Sequence, residues 1–122
     1  MNKLRQKKGL SLLEVVVSTL VITILAAGMF GAFVGSKILF NRARHRIQAY
    51  NFAREALERL RANYAYTDSQ MSNGAAHAEA EIGGVIKGEL VSLGAALTYD
   101  VAEQPNGYKE VTSRVSWTEA SF

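Results

Sequence analysis

The sequence predicts an α+β chain: a long N-terminal transmembrane and amphipathic α-helix packed against a small antiparallel β-sheet head. Three observations predict it. Residues 15–35 form a run of 21 positions without a charge or a proline. Ile47, Tyr50, Ala53, Leu57, Leu60 and Tyr64 then recur at spacings of three or four, the period of one helix face. Beyond residue 84, short alternating apolar and polar stretches are separated by Gly, Pro and Asn, the texture of strands and turns.

At about 1.5 Å of rise per residue the uncharged run spans about 31 Å, close to the roughly 30 Å of hydrocarbon in a bilayer. Its hydroxyls, Ser18, Thr19 and Thr23, can bond back to their own helix. A single membrane-crossing helix follows. A cleaved secretory signal competes with this reading, because Ala26, Ala27 and Gly28 imitate a small-residue cleavage site. Glu14 at the head of the run, and the length of the run, speak against it. The helical period continues to Tyr64, so residues 10–64 make one helix of about 80 Å, supported at Glu55 and Arg59 by an i,i+4 ion pair.

The helix should stop between residues 64 and 69, where Thr67-Asp68-Ser69 and then Ser72-Asn73-Gly74 supply turn chemistry. Residues 75–81 read as a loop or a short helical turn. Residues 85–91, 96–101 and 108–118 read as three strands. In the last, Val111, Ser113, Val115 and Trp117 share a face, with Trp117 expected as a core anchor. Pro105-Asn106-Gly107 joins the last two as a hairpin, since Asn and Gly both tolerate positive φ. The expected organisation is residues 1–9 as a leader, 10–36 as the membrane half of the helix, 37–66 as its amphipathic half and 67–122 as the head.

Composition narrows the function. The chain has 122 residues and no cysteine, so one small head must be held by packing alone. The net charge is +3, but Lys3, Arg5, Lys7 and Lys8 lie in the first nine residues. Residues 37–61 hold Lys37 and six arginines against Glu55 and Glu58, whereas beyond residue 61 eight acids face three bases. This acidic balance argues against a nucleic-acid partner for the head. His45 and His77 stand apart in sequence, which argues against a metal site. No Ser/His/Asp set, phosphate loop or carboxylate pair stands out, so neither an enzyme nor a cofactor is expected.

The most informative segment is Lys7-Lys8-Gly9-Leu10-Ser11-Leu12-Leu13-Glu14-Val15. It resembles the type IV prepilin signature: a basic leader ending in Gly, an apolar residue, a hydroxyl residue, two apolar residues and Glu. The resemblance implies processing by prepilin peptidase between Gly9 and Leu10, followed by N-methylation of Leu10. It implies a single-pass bacterial inner-membrane precursor, with its N-terminus cytoplasmic and its head periplasmic. Assembly with other pilins or pseudopilins into a filament, on an inner-membrane platform driven by an ATPase, would follow. The implied role of Glu14 is assembly, through pairing with the new amine on a neighbouring subunit.

The physical chemistry fits those roles. Gly9 lets a protease approach the backbone closely. A charge costs about 2.5–3.5 kcal/mol at a bilayer centre, so a partner found only in the correct axial register would make Glu14 a registration device. Ser11-x-x-Glu14 is equally a helix-capping box. Gly31-x-x-x-Gly35, with Gly28, suits close helix packing, although glycine is frequent in membrane helices anyway. Lys37, Arg42, Arg44, His45 and Arg46 suit snorkelling to lipid phosphates or pairing with acids on adjacent subunits. Cations flank both ends of the run, so the cleavage motif, not the charge count, orients it.

Residues 53–61 and 110–117 look similar to the I-type minor pseudopilin of type II secretion and to its relative, the V-type minor pilin. Two other readings remain. A membrane-anchored binding module, such as an adhesin or a DNA-uptake minor pilin, predicts an exposed aromatic or basic patch on the head. An anchored enzyme predicts a convergent polar cluster there.

Overall fold

The computed structural model describes residues 11–119. Helix α1 covers Leu12–Asn63. A 3-10 turn at Ser69–Met71 leads to strand β1, Gly74–Ala78. A second 3-10 turn, Glu79–Ile82, and a one-turn helix α2, Glu89–Ser92, precede β2, Ala96–Glu103, and β3, Lys109–Ser116. The chain is α+β, with a three-stranded antiparallel sheet in the order β1-β2-β3. It divides into two compact units, residues 1–40 and 41–122.

In the first unit the described residues are 11–40, and all but Ser11 belong to α1. Large apolar side chains point outward on every side: Leu12 is 83% exposed and Phe30 75%. A helix apolar all round needs an apolar surrounding. Among the described residues this is the one helix long and apolar enough to cross a bilayer.

The second unit has the opposite arrangement. Ala56 and Leu60 of α1 meet Leu97, Tyr99 and Val101 of β2, with Ile82 and Val85 closing the cluster. Alternation along β2 sends those three side chains inward, as the pleat requires. β2 and β3 pair without interruption from Ala96↔Ser116 to Glu103↔Lys109. Their loop is a Pro105-Asn106 turn closed by the Gly107 N–H donating to Gln104 O at 2.9 Å. Of the two residues that tolerate positive φ, Gly107 adopts it, at φ +78°, and Asn106 does not. This is a type I turn followed by a left-handed residue, a common hairpin loop of this length.

Three expectations are corrected. The third strand is residues 74–78, not 85–91. Gly88 at φ +68° and α2 break the latter segment, and Val85 and Leu90 are buried by packing rather than by pairing. β1 carries a bulge between Gly74 and His77, where Ala76 adopts φ +58° and its N–H donates to Asp100 Oδ1 at 2.7 Å. The buried face of α1 is also rotated. His45, Ala49, Ala56 and Leu60 face inward, whereas Ile47 and Tyr50 are 63% and 70% exposed. Small alanines let the sheet approach, close enough for Ser113 Oγ to donate to Ala53 O at 2.9 Å. Finally, Trp117 lies past the end of β3, half-buried and outside the core cluster.

Candidate functional site

Gly9 and Leu10 lie outside the described residues, so the described part of the processing segment begins at Ser11. The Glu14 N–H donates to Ser11 Oγ at 3.2 Å, and the Val15 N–H donates to Ser11 O at 3.1 Å. Ser11 therefore caps α1, satisfying a donor that the helix start leaves unpaired. Glu14 stands exposed in the first turn, where the helix dipole favours an anion. The Thr19 hydroxyl donates to Val16 O at 2.9 Å and the Thr23 hydroxyl to Thr19 O at 2.7 Å. Both are thus neutralised inside their own helix. Gly28, Gly31 and Gly35 are helical, and a Cβ added at any of them meets open space. At 3.6 residues per turn they fall within an arc of about 60°.

Residues 4–30 match the family model described as the Prokaryotic N-terminal methylation motif. The chain carries a type IV prepilin motif. The match covers Gly9, Leu10 and Glu14 together with most of the apolar run, and it supports a type IV pilin-like or pseudopilin-like precursor. Processing by prepilin peptidase and assembly with other pilins are what such a motif implies. One apolar helix near the N-terminus fits a single-pass membrane subunit. No curated protein and no solved structure matches the chain.

The head holds polar clusters that sequence reading missed. His45 is buried, with Nδ1 3.0 Å from Glu119 Oε1 and Nε2 3.7 Å from Glu89 Oε1. Trp117 Nε1–H donates to the same Glu119 oxygen at 2.8 Å, and Arg44 pairs with Glu89 at 3.3 Å. The Trp117 hydrogen bond, aided by His45, holds the Glu119 carboxyl below its usual range against the opposing effect of desolvation. His45 and Glu119 are 74 positions apart, so no spacing in the sequence signals their meeting.

A second cluster surrounds the buried Tyr99. Its hydroxyl donates to Gln70 O at 3.0 Å and contacts Glu81 Oε2 at 3.4 Å, while His77 stacks on its ring at 4.9 Å. Burial, followed by the negative charge of Glu81, pushes the phenol up to about 12. The hydrogen bond from His77 to Glu81, at 3.0 Å, and the Ala78 N–H hold the Glu81 carboxyl below its usual range. Lys109 forms a third tie, donating to Tyr66 O at 2.6 Å and Met71 O at 2.7 Å while lying over the Tyr66 ring. These links fasten the segment after α1 onto the sheet. Among the described residues, no three His, Cys, Asp or Glu side chains converge as metal ligands.

A groove of about 430 Å³ runs between α1 and β3, lined by Leu57, Val111 and Met71 with Arg54, Arg61 and Lys109 on its rim. It is open, and Glu58 and Leu60 complete its lining.

Proposed function

We propose that the chain is a structural subunit, a minor pilin or minor pseudopilin, built into a type IV pilus or a type II secretion pseudopilus. The match over residues 4–30 carries this reading. Prepilin peptidase removes residues 1–9 by cutting between Gly9 and Leu10 and methylates Leu10. The leader faces the cytoplasm of a bacterial inner membrane and the head faces the periplasm, until an ATPase-driven platform extracts the subunit. Likeness to the I-type pseudopilin and V-type pilin in residues 53–61 and 110–117 favours a minor subunit.

In this reading the Ser11 cap and the assembly role of Glu14 are compatible. The Ser11 hydroxyl engages the Glu14 backbone N–H, and the exposed carboxylate is free to meet the amine of Leu10 on a neighbouring protomer. The glycines at 28, 31 and 35 leave open space that a neighbouring helix backbone can enter. The test is recovery in sheared filaments from cells expressing variants at equal levels. Glu14→Leu should remain in the membrane and be lost from filaments, and Gly9→Val should retain its leader. Normal filament abundance of Glu14→Leu, with Gly9→Val trimmed as usual, would overturn the proposal.

A further inference from the structure

We infer that Arg42 and Arg46, with Trp117, form a binding site for the phosphate of an anionic phospholipid headgroup. Lys37, Arg42, Arg44, His45 and Arg46 lie close together in sequence, but the fold gives them different work. Arg44 is committed to Glu89, and His45 is buried against Glu119. Elsewhere Arg54, Arg59 and Arg114 also pair with carboxylates. Arg42 and Arg46 are exposed and, among the described residues, have no carboxylate within ion-pairing distance. They stand one helical turn apart on the same face, and both line a groove of about 280 Å³ with Ser116, Trp117 and Glu119.

The chemistry selects an anion with several acceptor oxygens, such as a phosphate, which two planar guanidinium forks recognise well. Glu119 also faces the groove and opposes an anion. Its charge is engaged by Trp117 Nε1–H and His45 and is also felt by Arg42, and two guanidinium charges against one carboxylate leave the groove net positive. The same chemistry would suit free phosphate, but chain position favours a lipid. Arg42 comes six residues after Ser36, where the uncharged run ends. That is about 9 Å along a helix, and helix side chains lean toward its N-terminus. Headgroup layers add roughly 5–8 Å at each face of the hydrocarbon, and tryptophan favours that zone. The site would hold the head at a defined height on the leaflet before extraction.

This inference rests on the membrane-spanning reading, and the experiment separates the two. Trp117 is the sole tryptophan, so its fluorescence reports the groove directly. The full chain is placed singly in nanodiscs of phosphatidylcholine, or of phosphatidylcholine with an equal share of phosphatidylglycerol, and quenched with acrylamide. Phosphatidylglycerol should lower the quenching constant by about half as the half-buried indole is covered. Arg42→Gln/Arg46→Gln should abolish that difference, whereas Arg61→Gln/Lys87→Gln, an equal loss of charge, should retain it. Equal quenching in both lipids, or an unchanged response in the Arg42/Arg46 variant, would overturn the site. Inorganic phosphate reproducing the effect in phosphatidylcholine discs would assign the groove to a soluble anion and overturn the lipid reading. A chain that failed to enter nanodiscs would defeat the membrane reading as well.

Discussion

Residues 11–40 and residues 41–119 use apolar side chains in opposite ways. In the first unit Leu, Val, Ile and Phe face outward all round α1, and the Thr19 and Thr23 hydroxyls bond back to the helix backbone. In the second, apolar side chains converge on Tyr99 and Leu60, while charged groups fasten the connecting segments. The difference teaches where stability and assembly reside. Truncations in the head create cavities at once, whereas those in the apolar run matter only when something packs against it.

The largest effect should therefore come from Leu60→Ala, which removes a side chain 2% exposed beneath the sheet. We expect a loss of about 2–5 kcal/mol in the stability of the head, measured by denaturant unfolding in detergent. Phe30→Ala should leave the same transition unchanged. Equal losses from the two would erase the contrast.

Lys109→Met comes next. It removes the ammonium from the Tyr66 and Met71 carbonyls, and hydrogen bonds to charged groups contribute about 1.5–3 kcal/mol. Amide hydrogen exchange should rise in residues 64–73 before it rises in β2 and β3.

The pH response should also belong to the head. Glu81 and Glu119 have depressed carboxyls in the folded state. Their stabilisation is present above their ordinary value of 4.5 and is lost as pH falls through the lower folded values. Tyr99 has the opposite sign. It is raised from 10.0 to about 12, so its contribution is complete below pH 10.0 and declines as pH rises toward 12. Glu81→Gln should flatten the acid limb of a stability-versus-pH curve, and Tyr99→Phe the alkaline limb.

The smallest effect compares two glycines. Gly107→Ala forces a Cβ into a left-handed turn at a cost of about 1–2 kcal/mol. Gly31→Ala meets open space and gains helix propensity of about 1 kcal/mol, so the unassembled chain should not be weakened. Any deficit from Gly31→Ala should appear only in filament incorporation.

Much of this architecture is legible in the residues. The uncharged run, the long helical period and the β2–β3 hairpin around Pro105-Asn106-Gly107 can all be read from local pattern. β1 cannot: Gly74-Ala75-Ala76-His77-Ala78 has weak strand propensity and becomes a strand by pairing with β2. Val85, Ile86 and Val91 look strand-like, yet Gly88 and α2 redirect the chain between them. On α1, the large residues Ile47 and Tyr50 suggest the wrong inner face, because close approach of the sheet selects Ala49 and Ala56 instead. The prepilin segment is legible because its chemistry is local. The His45–Glu89–Glu119 cluster is not, because only tertiary folding brings its members together.

The most direct test of the central claim is the intact mass of the protein purified from membranes of cells that carry a prepilin peptidase. The account predicts loss of residues 1–9 and a gain of one methyl group on Leu10. A mass retaining the leader, or one corresponding to cleavage after Ala27 or Gly28, would contradict it.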